Sequence, residues 1–195
     1  MVKSRAWQRM LSGRRLDLID PSALDIEIAD IAHGLARVAR WNGQTRGDEI
    51  FSVAQHSLLV EAIFSAVEAS ASRQAKLAAL LHDAPEYVIG DMISPFKAVM
   101  GGAYKETERR LLAAIFIRFG LKPETEAAVM KAIKAADCDA AFYEATELAG
   151  FALAEARKFF GKPRVAATDF AVYLAPWRPQ EAQARFLARF AELDH

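Results

Sequence analysis

Ala78-Ala79-Leu80-Leu81-His82-Asp83-Ala84-Pro85-Glu86 is the stretch on which the reading of this chain turns. Four apolar residues run straight into a histidine and an ionisable aspartate, carrying polarity into the core end of a helix. Burying an unpaired carboxylate is costly, so something has to compensate it. A divalent metal ion would do so, and imidazole and carboxylate are both ligands for one. The competing reading is a helix that ends here, with Asp83 capping the next helix ahead of Pro85. Glu86 lies four residues after His82 and three after Asp83, so helical backbone would put it on their face. There it could act as general acid or base beside a metal-bound water, or simply face solvent.

Outward from this stretch the sequence reads as helical. Alanine is abundant, β-branched alternation is scarce, and apolar residues recur at spacings of three and four. The pattern predicts helices over about Glu27 to Ala39, Ser52 to Ala69 and Ser72 to Leu81, with Pro85 opening a further short one. Asn42-Gly43 is a turn signal, and Thr45 to Glu49 is a polar loop. A long helix is expected from Ala103 to Phe119, ended by Gly120. Pro123 opens the next, which continues with one break through Asp137 to Leu148. Ala152 to Phe159 reads as helical, Pro163 to Tyr173 does not, and Pro179 to Leu193 closes the chain. Residues 1–20, with Ser12-Gly13 between short apolar runs, suggest an extended arm or short hairpin. The expectation is one all-α domain over residues 1–195, with its core in about 27–148 and a helical extension over 151–195.

Composition narrows the function classes. Of the 195 residues, 53% are hydrophobic, enough for a sizeable core, and Lys+Arg and Asp+Glu balance at 25 each. No global field then favours nucleic acid or an anionic membrane, so an anionic substrate needs a local basic site. The single Cys138 excludes an internal disulfide and makes a cytoplasmic setting the expectation. Met1 to Met10 lacks the apolar stretch of a signal peptide, and no segment reaches the roughly 18 apolar residues of a membrane span. A P-loop and a Gly-x-Ser-x-Gly elbow are both missing.

Only four histidines occur: His33, His56, His82 and His195. His56 lies in the apolar run Val53-Ala54-Gln55-His56-Ser57-Leu58-Leu59, where a lone histidine is more often a satisfied core residue than a ligand. Asp137 falls in Ala135-Ala136-Asp137-Cys138, where close helix packing is expected and an unpaired carboxylate is awkward. Cys138 reads as a small buried residue. Arg40 offers a planar fork suited to phosphate oxygens, and Trp41 a flat face for a base or sugar. Their ordinary roles would be a helix-dipole partner and a plug at the edge of the core. His33, seven residues before Arg40 on the same helical face, reads as a packing residue or a support to the site.

His56, then His82-Asp83, then Asp137 have the order and spread of an HD-domain metal site, and the chain resembles the HD superfamily of phosphohydrolases over about residues 27–148. Within it the chain is similar to bacterial 5'-deoxynucleotidases. The likeness lies in Arg40-Trp41, Ala54-Gln55-His56-Ser57, His82-Asp83-Ala84-Pro85-Glu86, Gly90-Asp91-Met92-Ile93-Ser94-Pro95-Phe96-Lys97 and Lys134-Ala135-Ala136-Asp137. The resemblance implies an HD-domain helical bundle in which His56, His82, Asp83 and Asp137 hold one divalent metal, with Mn, Co, Fe, Ni and Zn all suited to that donor set. It implies Glu86 as the catalytic carboxylate, working beside Asp83, and Arg40 as a phosphate contact. It also implies that Trp41, Asp91 and Ser94 lie near sugar or base. The reaction would be removal of phosphate from (deoxy)nucleoside 5'-monophosphates by metal-bound water, in a homodimer. Alternatives are an HD hydrolase of another small phosphorylated compound and a non-catalytic metal-binding module. HD hydrolases of guanosine alarmones carry His-Asp-x-x-Glu-Asp, whereas here Tyr87 follows Glu86. Ser94 stands where the deoxynucleotidases would carry threonine, and the N-terminal arm, Thr45 to Ile50 and the tail after Gly150 also depart from their pattern.

Overall fold

The protein is represented by a computed structural model that describes residues 6–93 and 102–194. The fold is all-α, and among the described residues the one sheet is an N-terminal hairpin. Strands β1 (Trp7–Arg9) and β2 (Arg15–Asp17) pair antiparallel with Gln8 opposite Leu16. Leu16 drops into the core, while Asp30 accepts hydrogen bonds from the Ser12 backbone N–H (3.0 Å) and hydroxyl (2.5 Å), pinning the hairpin tip to the first helix.

Eight α-helices follow among the described residues: α1 (Ile28–Leu35), α2 (Val53–Val67), α3 (Arg73–Leu80), α4 (Glu86–Ile89), α5 (Gly102–Arg118), α6 (Ala127–Tyr143), α7 (Leu153–Phe160) and α8 (Pro179–Asp194). The Ser52 and Ser72 hydroxyls accept from the Gln55 and Ala75 N–H groups and so cap α2 and α3. Helix α2 is buried on nearly every side, packed by α3, α6 and α8. A central helix of this kind must satisfy its polar side chains internally. The Gln55 amide donates to the Tyr173 and Ala175 carbonyls, both at 2.7 Å, and accepts from Trp177 N–H at 3.0 Å. Arg189 of α8 forks onto the buried Glu61 carboxylate at 2.7 and 2.8 Å. Ala182, Phe186, Phe190 and Leu193, spaced by three and four, form the buried stripe of α8 and join the same core as α1–α3.

Several boundaries differ from the sequence expectations. The first helix stops at Leu35 rather than Ala39, because residues 38–40 pair with the strand-like lead into α2. Val53 N–H donates to Val38 O at 3.0 Å and Arg40 N–H to Phe51 O at 2.8 Å, and these tertiary bonds override the local helical pattern. Pro123 does not open α6, which begins at Ala127. The expected break in that helix is a π-helical turn, Glu144–Leu148. Residues Ala167–Leu174, expected to be non-helical, form a 3₁₀ segment held by buried Phe170 and by the Gln55 clamp on Tyr173. Among the described residues no helix is long and apolar enough to cross a membrane.

Candidate metal centre

Three elements aim polar groups at one point. His56 sits in the first turns of α2 and is fully buried. His82 and Asp83 follow directly on α3, where Leu81 ends the helix and the chain turns. Asp137 projects from α6, which packs along α2. His56 Nε2 lies 3.4 Å from Asp83 Oδ2 and 3.3 Å from Asp137 Oδ1, and His82 Nε2 lies 3.2 Å from Asp83 Oδ2. The two rings are 5.4 Å apart, and donor atoms of His56, His82 and Asp137 all fall within 4.8 Å of one another.

The tautomers follow from the partners. His82 Nδ1 is 2.9 Å from the Ala79 carbonyl, which can only accept, so Nδ1 carries the proton and Nε2 presents a lone pair. His56 Nδ1 is 2.5 Å from Glu144 Oε1 and donates to it, so in the neutral ring, the form that would bind a metal, Nε2 presents a lone pair. Among the described residues both Nε2 atoms are buried and lack a hydrogen-bond partner, although carboxylate oxygens stand just beyond bonding geometry. Donors about 2.1 Å from one cation would be separated from their neighbours by about 3.0–3.4 Å, the spacing seen here. The orphaned nitrogens and the mixed nitrogen–oxygen set therefore fit a first-row divalent ion. Asp83 does not cap α4: that helix has Pro85 at its N-cap with no side-chain bond, and the Asp83 carboxylate turns to the imidazoles.

Charge points the same way. Four carboxylates gather here: Asp91 and Glu144 pair with Arg40, while Asp83 and Asp137 stand against His56. Burial alone would raise the Asp83 pKa, but His82 and His56 outweigh it and hold the carboxyl well below its usual range. Asp137 is lowered too, with His56 and His82 overcoming burial and the neighbouring Asp83. Burial and Arg40 work against a proton on His56, yet Glu144, Asp137 and Asp83 prevail and raise its pKa well above the ordinary value. A field that favours imidazolium at this spot favours any cation there. The Asp83 and Asp137 side chains keep 22% and 37% of their exposure, so the cluster opens to solvent on its carboxylate side.

Of the remaining residues singled out in the sequence, Arg40, Trp41 and Asp91 are linked to this centre through Glu144 and Arg40, and Glu86 follows Asp83 in the chain. Glu86 is buried at the first position of α4, and its N–H donates to Asp83 O at 3.0 Å, so the two share one turn. Arg40 is drawn in but already engaged: one terminal nitrogen bonds Asp91 at 3.1 Å and the other Glu144 at 3.4 Å, two of its five donors. Gly90, at φ 77°, ends α4 and swings Asp91 toward Arg40. The Trp41 ring meets the edges of Phe151 and Phe160 at 5.6 and 6.0 Å, and its indole N–H donates to Glu144 at 2.8 Å. Ser94 lies outside the described residues, as do Pro95 to Lys97 and His195. His33 stands in the last turn of α1, and because that helix ends at Leu35 it shares no continuous face with Arg40. Cys138, expected to be buried, is exposed, since one helical step past Asp137 turns it away from α2.

Glu144 is the member that the sequence expectations missed. It is fully buried, touches His56, Arg40 and Trp41, and has a pKa lowered to about 2, because His56 and Arg40 overcome the opposing effect of burial. It lies seven residues after Asp137, two turns along the same helical line, and that spacing was the available signal.

Fold and cluster together describe an all-α protein whose His56, His82 and Asp137 side chains form a group that could hold a metal ion. A protein of Rhodobacter capsulatus, described as uncharacterized, is 58% identical over 186 residues, covering 95% of this chain and 94% of its own length. The chain belongs to the same family as that protein. No family profile matches the chain.

Proposed function

We propose that this protein is a metal-dependent phosphohydrolase of the HD type, and that it removes phosphate from nucleoside 5'-monophosphates, deoxynucleotides among them. The observation that carries this reading is the pair of buried, orphaned imidazole nitrogens of His56 and His82, converging with Asp83 and Asp137 at ligand spacing. These four residues would hold the ion. A divalent cation bound there would supply polarisation of phosphoryl oxygens and a water of lowered pKa. Glu86, buried and tied to Asp83 by the backbone, is the group to take up and return a proton. Arg40 keeps three donors beyond those engaged by Asp91 and Glu144, a preorganised cation for developing phosphoryl charge. Uncatalysed phosphate-monoester hydrolysis is so slow that rate gains can reach about 10²¹-fold, which demands more than one acid–base pair.

One observation favours a second reading, an HD hydrolase of a different small phosphorylated compound. The Trp41 ring is packed by Phe151 and Phe160 and tied to Glu144, which supports a structural role rather than a platform for a base. A phosphate-release screen of deoxyribo- and ribonucleoside monophosphates, a phosphodiester and nucleoside triphosphates, with Mn²⁺, Co²⁺ or Zn²⁺, separates the two. Release from monophosphates is expected, and its absence for every monophosphate would overturn the first reading. Metal content unchanged in the His82→Ala/Asp83→Ala variant would overturn both.

A further inference from the structure

Glu144 sits between two parts of the molecule that the proposed chemistry uses separately. Its Oε1 faces His56 Nδ1, behind the candidate metal ligand, and its Oε2 receives Trp41 Nε1–H at 2.8 Å and an Arg40 nitrogen at 3.4 Å. The segment it holds is unusual. Trp41 and Asn42 have φ of 56° and 50° within the 3₁₀ turn Arg40–Gly43, a left-handed conformation that costs a bulky residue energy and persists only when its surroundings enforce it. The turn is held by the Gln44 N–H bond to Trp41 O at 2.9 Å and the Arg40 N–H bond to Phe51 O at 2.8 Å, and its indole by the Glu144 bond and by Phe151 and Phe160. Glu144 itself is placed by the π-helical turn that begins at this residue, a local widening that re-aims a side chain.

We infer that Glu144 is a positioning residue that couples the metal site to the Arg40–Trp41 turn, fixing the Nδ1–H tautomer of His56 with one oxygen and the left-handed turn with the other. The inference rests on the metal-binding reading above and deepens it. Its chemistry is specific to a carboxylate, because all three partners are donors. An amide in its place meets a conflict. If its oxygen serves His56, its NH₂ points at the Trp41 and Arg40 donors. If its oxygen serves Trp41 and Arg40, its NH₂ faces His56 Nδ1, which must then accept. The imidazole proton then moves to Nε2, the atom that would bind metal. In neither orientation can Glu144→Gln satisfy both sides.

The test needs no turnover. In ¹⁵N-labelled protein the Trp41 indole N–H cross-peak is assigned by its loss in Trp41→Phe, and Zn²⁺ is titrated while binding is followed by calorimetry. The wild type is expected to bind Zn²⁺ and to shift the Trp41 cross-peak in proportion to occupancy. Glu144→Gln is expected to bind Zn²⁺ 10- to 100-fold more weakly and to have a displaced Trp41 cross-peak even before metal is added. Zn²⁺ bound by the wild type with the Trp41 cross-peak unmoved would overturn the coupling alone, and this arm stands even if the Glu144 variant does not fold. Unchanged Zn²⁺ affinity in a folded Glu144→Gln would overturn it as well. No Zn²⁺ binding by the wild type would overturn the metal reading, and the coupling with it.

Discussion

Gly34, next to last in α1, is where that helix touches α4, and a single methyl group there should be felt at the candidate active site. A Cβ at position 34 would stand 2.8 Å from Tyr87 Cβ, 2.9 Å from the Tyr87 carbonyl oxygen and 3.1 Å from its Cα. Ordinary carbon contacts lie at about 3.5–4.0 Å, so the two backbones must separate by roughly 1 Å. Overpacking of this size costs about 1–3 kcal/mol. Alanine recovers up to about 1 kcal/mol of helix propensity, less so close to the helix end. Gly34→Ala is therefore expected to be destabilising by about 1–2 kcal/mol, a fall in Tm of about 2–8 °C for a chain of this size. The obstacle is backbone and Cβ, so trimming the ring in Gly34→Ala/Tyr87→Ala should bring no rescue. The site should respond too: Glu86 is the residue before Tyr87, and a displacement near 1 Å can cost about 100-fold in rate. Thermal melts, phosphate-release kinetics and Zn²⁺ calorimetry together test this. On the proposed phosphohydrolase reading, kcat and Zn²⁺ affinity are both expected to fall, since Asp83 shares a turn with Glu86 while His56 and Asp137 stand on α2 and α6. A Tm unchanged or raised in Gly34→Ala would refute the close approach and everything drawn from it.

Two further outcomes follow from the buried charges. Arg189→Ala strips a forked cation from Glu61, which is 2% exposed and, among the described residues, keeps the Ser65 hydroxyl bond. A loss of about 2–3 kcal/mol in urea unfolding is expected, and a loss below about 0.5 kcal/mol would show that the pair does not hold α8 to α2. Glu144 makes stability pH-dependent in metal-depleted protein. Its folded pKa of about 2 lies below the ordinary 4.5, so its contribution is complete above about pH 4.5 and is lost as pH falls toward 2. That gap corresponds to about 3 kcal/mol at most, and the Tm of Glu144→Gln should fall less steeply than the wild type between pH 4.5 and 3. Parallel slopes would mean that Glu144 is not the group titrating there.

Much of this fold is written locally. The serine caps, the three-and-four spacing of Ala182, Phe186, Phe190 and Leu193, and the Ser12-Gly13 turn each specify their element within a few residues, so sequence reading reached them. Where it erred, the deciding bonds join distant residues. The end of α1 is set by Val38 and Arg40 pairing with Val53 and Phe51, and the 3₁₀ segment Ala167–Leu174 by Gln55, over a hundred residues earlier. No local periodicity carries that information.

The site divides along the same line, for a reason rooted in chemistry. A candidate ligand can be suspected singly, because an ionisable group in an apolar run has to be compensated by something. His82, Asp83, His56 and Asp137 all carried that tension in their immediate neighbours, and they do come together. Glu144 carries it too, in Ala140-Ala141-Phe142-Tyr143-Glu144-Ala145, but a glutamate near a helix end is so often solvated that this signal is weak on its own. Its three partners make it anything but ordinary. Arg40 illustrates the converse: the residue type suggested a free phosphate fork, yet Asp91 and Glu144 hold it before any substrate arrives. Residue type reveals what a side chain can do, while its partners decide which of those things remains open to it, and partners are a property of the fold.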